Sequence, residues 1–478
     1  MDENTPLLND VSAPEEQTQH PTLTYRSEIF KLARNTLPIS LSFALQQLVQ
    51  AWSVIIIGRL GTFELGVASY GYSFANCTGS LIAIGGATAL DTLCSQAQAS
   101  SKSAKDSHML GIYLQRGLML LLLQFVVTII PLWWFSPYLF DALGQEADFA
   151  RATGLFLRIL IPGGLLQIYS ECLKRFLQIQ GLSDGVGWVI VAASAVGILA
   201  NYSFAFLLNM GVLSAACAHV IYHTSTALFL TGYAWRSKTA RIGWGGFSRE
   251  AFSNCWEFIK LALSGILTVA TEFWGFETTA LMAASLSETS IGAQSIIMAS
   301  DQILACVPLG IGVATAHRIG NLLGSGNVKG AKFMCRIPYI VALIVGLTEA
   351  LIIILTRHVY AYIFSSSPPV ISLTASILPL MAFFQYFDIN NGGAAGVLRG
   401  AGKTHLAGVS NVIAYYGVGI TSAYYMCFVL DWDIFGLWAG IIAGSVALLL
   451  IQTSWISVID WEEESRRIEE RMKQALLR

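Results

Sequence analysis

Charge is scarce in this chain. Asp, Glu, Lys and Arg together make up 12% of its 478 residues, about half the roughly 25% that a soluble domain carries. That shortage argues against the three soluble domains its length would otherwise allow. A net charge of -2, with no block of like charge, gives no footing for a nucleic-acid partner. The eight cysteines (Cys77, Cys94, Cys172, Cys217, Cys255, Cys306, Cys335, Cys427) lack metal-ligand spacing. All fall in apolar runs or in loops assigned below to the cytosol, which argues against disulfides. The sequence has no GxxxxGK[ST], no HExxH, no kinase set and no nucleophile elbow. Neither ATP-driven transport by this chain alone nor metallo-enzyme chemistry is expected, and no cofactor or metal. The N-terminal segment MDENTPLLNDVSAPEEQTQHPTL is acidic and has neither the basic nor the apolar region of a secretory signal. The expectation is a disordered cytosolic tail over residues 1–33.

What the chain has instead is apolar length. Hydrophobic residues are 54% of the total, and the mean hydropathy is +0.59. A membrane-spanning helix needs about 20 mostly apolar residues. Such runs occur twelve times: 36–58, 66–96, 109–136, 148–176, 185–208, 211–235, 256–285, 289–322, 337–358, 367–397, 404–430 and 434–459. This predicts an all-α polytopic membrane protein with twelve transmembrane helices. Lys and Arg gather in alternate loops: Lys102 and Lys105; Lys174 and Arg175; Arg236, Lys238, Arg241 and Arg249; Lys329, Lys332 and Arg336; Arg399 and Lys403. By the positive-inside rule those loops, and both termini, are cytosolic. The last segment, 460–478, has acids ahead of bases at helical i,i+4 spacing and reads as an exposed cytosolic helix.

The spans repeat. The segment from Gly66 aligns without gaps on the segment from Gly292, so that Gly86 meets Gly312. FLQIQG ending at Gly181 resembles VLRGAG ending at Gly402, and GVLSAA at Gly211 resembles GLWAGI at Gly436. Six spans per unit put both units in the membrane the same way round, a parallel repeat. The division follows: an N-terminal six-helix lobe over 34–235, a cytosolic linker over 236–255 and a C-terminal six-helix lobe over 256–459, around a central cavity.

Carboxylates inside spans are the functional candidates. An ionised acid at mid-bilayer costs about 2.5–3.5 kcal/mol on insertion scales, and raising a Glu from about 4.3 to 7 takes about 4 kcal/mol. The two costs are similar, so an acid in a semi-dry cavity is poised to exchange a proton for a cation. Glu272 lies midway through the seventh span. Glu277, five residues on, is turned by roughly 140°, so the two do not share a stripe; Glu272, the deeper, is the favoured proton carrier. Asp388 stands among Gln385, Tyr386, Asn390 and Asn391, a polar patch for a spanning helix. For Asp301, transport and packing roles are evenly matched. Glu171 beside Lys174 and Arg175 reads as an interfacial partner, Asp91 as an anchor, and Glu349 is unassigned. Trp274, Phe276, Tyr386 and Phe387 are near enough to cradle an organic cation through their ring faces. Asn76, inside a span, reads as a buried polar contact.

These segments resemble the multidrug and toxic compound extrusion (MATE) transporters, in their eukaryotic branch. The pieces that carry the likeness are IGRLGTFELGVAS at Ile57, ALDTLCSQAQAS at Ala89, TEFWGFE at Thr271, GAQSI at Gly292, VATAHRIGNLLGSGN at Val313 and GVLRGAGK at Gly396. The resemblance implies two six-helix lobes in a V around a central cavity, and export of small organic, often cationic, compounds by antiport. The coupling ion would be the proton, with sodium the alternative. The family's acids in the seventh span fall on Glu272 and Glu277, and one in the tenth on Asp388. Its eighth-span glutamate falls on Ala299, two residues before Asp301. The first span has no acid and offers Gln46, Gln47 and Gln50 instead, which places the working acids in the C-terminal lobe. The partners expected are the substrate, the coupling ion and the bilayer, with the chain a monomer.

ENTPLL, with Glu3, Leu7 and Leu8, fits the acidic-dileucine pattern read by adaptor complexes, which favours a vacuolar or lysosomal membrane over the plasma membrane. Rival readings are a lipid-linked oligosaccharide flippase of a related family, a polytopic receptor and a membrane enzyme. The first would want cationic mid-span residues, the second leaves five spans and the repeat unexplained, and the third lacks a nucleophile or metal set.

Overall fold

The computed structural model describes residues 23–100 and 108–476. Glu3, Leu7, Leu8, Lys102 and Lys105 lie outside the described residues. Among the described residues, twelve helices are long and apolar enough to cross a membrane: α1 Tyr25–Gly58, α2 Thr62–Ser100, α3 Met109–Trp134, α4 Ala147–Ile179, α5 Ser183–Leu207, α6 Leu213–Arg236, α7 Cys255–Ala284, α8 Glu288–Gly324, α9 Val328–Ile363, α10 Pro368–Gly400, α11 Thr404–Val429 and α12 Asp433–Ser457. A short helix, Lys238–Trp244, sits in the linker, and α13, Trp461–Leu476, follows the last span. Short connections make sequential helices antiparallel neighbours. Even crossings return the chain to the face on which it began, here termed the terminal face.

Hydropathy places the spans within a few residues except at two starts. Helix α1 begins at Tyr25, inside the segment 1–33 assigned to the tail. Its first turns carry charge that hydropathy discounts, yet Glu28 is buried and bonded to Arg318 of α8 at 2.7 and 2.9 Å. Helix α9 likewise starts before its apolar run, at Val328. Two further expectations change. Lys174 and Arg175, counted as loop cations, lie inside α4 and are buried. The terminal helix α13 is not simply exposed: Trp461 and Ile468 are buried in the main core beside Leu322 and Leu323.

The repeat is visible in the backbone. Gly181 and Gly402 both take a left-handed conformation, φ +79° and +77°, after α4 and α10. The equivalent of Gly211 (φ +58°) is Asp433 (φ +48°), not Gly436, because both end the turns that follow π-helical stretches at Ser203–Leu207 and Tyr425–Val429. Asp tolerates that conformation better than most residues, which hid the match. Helices α2 and α8 each break midway, at a π-helical turn over Asn76–Ser80 and at Ala305.

The lobes meet along the halves of α2 and α8 nearer the terminal face. Leu81–Ser100 packs on α7 and on Cys306–Gly324, and α1 packs on Cys306–Gly324. The opposite halves, Thr62–Ala75 and Glu288–Leu304, pack chiefly within their own lobes. The lobes are thus shut at the terminal face and less engaged away from it. Backbone contact closes the seam at Gly85: a Cβ there would stand 2.7 Å from Ile266 Cα and 2.9 Å from Gly265 O.

Polar groups then lock it. Asp91 of α2, fully buried, accepts from His317 Nε2 of α8 at 3.0 Å and from Arg175 of α4 at 3.0 and 3.3 Å. Thr92 Oγ1 donates to Arg399 O at 2.7 Å, Gln96 Nε2 to Gly400 O at 3.0 Å, and Ser100 Oγ to Gly324 O at 2.8 Å. Helix α13 lies across the closed seam. Glu462 and Glu464 pair with Lys332 and Lys403 at 2.8 and 2.7 Å, while Arg471 reaches Glu257 at 2.6 Å and Gln96 Oε1 of α2 at 2.9 Å.

Three substitutions test this seam by thermal unfolding in detergent. Gly85→Leu is expected to destabilise by about 1–3 kcal/mol, since the added atoms meet backbone that cannot rotate away. Asp91→Asn strands the buried Arg175 guanidinium and is expected to cost about 3–5 kcal/mol. Glu28→Gln should cost less, because its partner Arg318 keeps 29% of its side chain in solvent. Equal losses at Asp91 and Glu28 would contradict the assignment of Asp91 as the buried keystone.

Candidate functional site

Three carboxyls from three helices of the C-terminal lobe come together. Glu272 is half-buried on α7, Asp301 is buried on α8 just before its break, and Asp388 is buried on α10. Each lies within electrostatic range of the other two. Glu349 of α9 adds a fourth acid within electrostatic range of Asp388, and Tyr415 of α11 lies within electrostatic range of the first three. Tyr415 sits in a nine-residue π-helical stretch, Val412–Ile420; such wider turns are frequent at functional sites.

The site is thinly supplied with partners. Asp301 accepts one hydrogen bond from Gln385 Nε2 at 2.7 Å. Gln385 is three residues before Asp388 and shares its helix face. Among the described residues, neither Glu272 nor Asp388 makes an ion pair or a side-chain hydrogen bond, and Glu349 Oε2 is buried without a partner. The nearest cation is Arg399, buried near the terminal-face end of α10. It lies within electrostatic range of Glu272 and is shared with Asp91. Low dielectric makes such unpaired acids costly in charged form. The arrangement holds acids ready for a cation or a proton. No three His, Cys, Asp or Glu side chains among the described residues are grouped to hold a metal ion.

The remaining candidates divide. Glu277 leaves the cluster: its Oε1 accepts from Ser73 Oγ of α2 at 2.9 Å, between the lobes. Trp274, 48% exposed, likewise donates from Nε1 to Cys77 O of α2 at 3.2 Å. Asn390 and Asn391 are spent on helix packing, with bonds to Tyr386 O at 2.7 Å and to Ser445 Oγ of α12 at 2.8 Å. Tyr386 packs toward α9, where a Cβ on Gly346 would stand 3.1 Å from its ring. In the N-terminal lobe, Asn76 accepts from Ser80 Oγ at 3.3 Å, and Gln47 is half-buried. The polar centre of that lobe is its neighbour Gln46. Gln46 Nε2 donates to Glu171 at 3.0 Å, and Glu171 is ion-paired to Lys174 at 2.6 Å. Lys174 also lies over the Phe43 ring at 4.5 Å. Glu171 is therefore neutralised where the C-terminal acids are not.

Sequence reasoning passed over Tyr415 and the closeness of Asp301 to the other acids. Two glycines just after Tyr415, Gly417 and Gly419, mark the weakened helix and are the signal available for the first. For the second there is none, because three helices must be packed before their azimuths are known.

The family model described as MatE matches residues 38–207 and 265–425, one stretch in each lobe. An uncharacterised transporter of Schizosaccharomyces pombe is 32% identical over 465 residues, covering 96% of this chain and 84% of that one. Multidrug and toxin extrusion protein 1 of Danio rerio is 32% identical over 452 residues, covering 93% and 74%. Among solved structures, the eukaryotic MATE transporter AtDTX14 superposes with a TM-score of 0.87 at 26% identity, over 94% of this chain and 99% of that one. On these grounds, and with twelve spans in two lobes already in place, the chain belongs to the multidrug and toxin extrusion (MatE) family as a eukaryotic member, a transporter and not an enzyme.

Proposed function

We propose that this transporter exports small organic cations from the cytosol in exchange for protons, with Glu272, Asp301 and Asp388 as the groups that alternate between cargo and H⁺. The observation that carries this reading is the gathering of three acids in one lobe, none of them with a bonded counter-ion among the described residues. Asp301, outside the family pattern, joins the scheme because Gln385 ties it to the face that carries Asp388. Glu277 is assigned to a contact between the lobes away from the terminal face, where Ser73 holds it.

The cycle uses the seam. With the terminal face taken as cytosolic, from the Lys and Arg bias of its loops, the described state is shut toward the cytosol. Protons entering from the far side neutralise the acids, weaken their hold on a cation and release it. Neutral acids let the emptied carrier part at the seam and close opposite; deprotonation toward the cytosol restores the binding charge. The ion could equally be sodium by charge alone. No three of the acids among the described residues are grouped closely enough to hold a metal ion, which favours the proton, because sodium must have its lost hydration replaced by several oxygens. The chain works as a monomer in this scheme, since both half-sites lie within it. The membrane is assigned as vacuolar or lysosomal on the dileucine signal of Glu3, Leu7 and Leu8.

Uptake of a fluorescent organic cation into vesicles with an imposed pH gradient tests the exchange. Glu272→Gln and Asp388→Asn are each expected to lower the rate by at least about ten-fold, an amount equal to about 1.4 kcal/mol of transition-state stabilisation. Glu277→Gln should lower it far less. Full activity in Glu272→Gln, or drive by a sodium gradient with the pH held equal, would refute the scheme. For residence, Leu7→Ala with Leu8→Ala should move a tagged chain to the cell surface; an unchanged pattern removes the signal.

A further inference from the structure

The linker between the lobes builds a pocket that transport does not use. After the short helix Lys238–Trp244 the chain turns at Gly245 and Gly246, both left-handed (φ +62° and +91°), and runs back over the start of α3. Two α3 side chains hold it there. Gln115 donates to Gly246 O at 2.9 Å and accepts from Ser248 N at 3.1 Å. Arg116, buried, donates to Ala251 O at 3.2 Å and Glu250 O at 3.0 Å. With its backbone groups satisfied, the loop roofs a hollow of about 360 Å³ walled by Leu118, Met119, Trp244, Phe247, Ala251 and Phe252, with Arg249 at its lip.

Three features say what fills it. First, the walls are apolar where a protein surface would not be: Phe247 is 92% and Phe252 71% exposed. Second, the hollow opens at the head of an apolar stripe on α3. From Met119 the helix continues through Leu123, Val126 and Val127, all exposed, at the spacing of one helix face. Gln115 to Met119 stand six to ten residues inside α3, roughly 10–15 Å from its start at 1.5 Å per residue, so the hollow lies toward the terminal-face end of the span. Third, Arg249 lines the hollow and further cations lie near it along the chain. Lys238 and Arg241 precede Trp244 at three-residue spacing on one face of the short helix, and both are exposed, as are Arg236 and Arg249. None of the four forms an ion pair among the described residues. Glu250 is the acid closest in the linker, and its carboxylate has no salt bridge to them.

From this we infer that the linker hollow is a binding site for one anionic phospholipid of the leaflet on the terminal face. Its phosphate would sit among Arg249, Arg241 and Lys238, and its acyl chain would run from the hollow down the α3 stripe. The aromatic walls supply the interfacial contact that Trp and Phe side chains favour at headgroup depth, and the cations attract anionic lipid. The ligand sits on the one segment that joins the lobes.

Native mass spectrometry of the full chain, released from micelles doped with equal phosphatidylglycerol and phosphatidylcholine, tests the site. The expected result is one retained phosphatidylglycerol in clear excess over phosphatidylcholine. R249Q and R241Q should each cut that preference by about five-fold, the effect of one cation near a membrane surface. F247A should weaken retention of both lipids, and unfolding midpoints should stay unchanged, since all three side chains are exposed. Equal retention of the two lipids overturns the proposal. So does a preference that survives the R241Q and R249Q double variant, or displacement of the lipid by millimolar inorganic phosphate alone, which would make the site one for a free anion.

Discussion

Asp91 is the point on which the closed molecule turns. Its carboxylate is fully buried, so it needs donors within hydrogen-bond reach, and it takes one from each lobe: Arg175 of α4 and His317 of α8. Positions 91 and 317 are separated by the same offset as Gly66 and Gly292, so the repeat sets them opposite one another on its own axis. A carboxylate accepts only, so His317 carries a proton on Nε2 wherever Asp91 is ionised. A buried charge so satisfied gives register more than raw stability. It fixes which part of α2 meets which part of α8, and with that the contact of Gly85 on Gly265.

The two lobes treat their interior acids in opposite ways. In the N-terminal lobe Glu171 is matched by Lys174 and bonded to Gln46. That acid is a finished structural element with its charge cancelled. In the C-terminal lobe the acids outnumber their partners, and the one nearby cation, Arg399, is also claimed by Asp91. The two bundles are similar, but Lys174 pairs the acid of the first, while Glu272 and Asp388 of the second make no ion pair among the described residues. Arg399 ties the acidic cluster electrostatically to the seam.

Much of this was legible in the sequence, for reasons that apply equally to its failures. Apolar run length sets the spans because the bilayer has one thickness, and hydropathy reads that directly. The same measure cannot see a helix that continues into water on the strength of an ion pair, as α1 does from Tyr25 through Glu28, nor a charged helix such as α13 that is held by Trp461 and Ile468. Counting cations located the terminal face although Lys174 and Arg175, two of those counted, are buried partners and not loop residues. The separation of Glu272 from Glu277 followed from helical rotation within one element. That Asp301 joins Glu272 and Asp388 depends on how α7, α8 and α10 are rotated against each other, and no local pattern encodes that.

Helix α13 has one consequence of its own. It is rooted in the C-terminal lobe through Glu462 and Glu464, and only its far end, at Arg471, touches α2. Should the lobes swing apart at this face, the roots travel with their lobe and the tip alone must peel off Gln96. The helix thus rides on the C-terminal lobe, which also holds Arg471 through Glu257, and its grip on Gln96 lasts only while the lobes meet at this face.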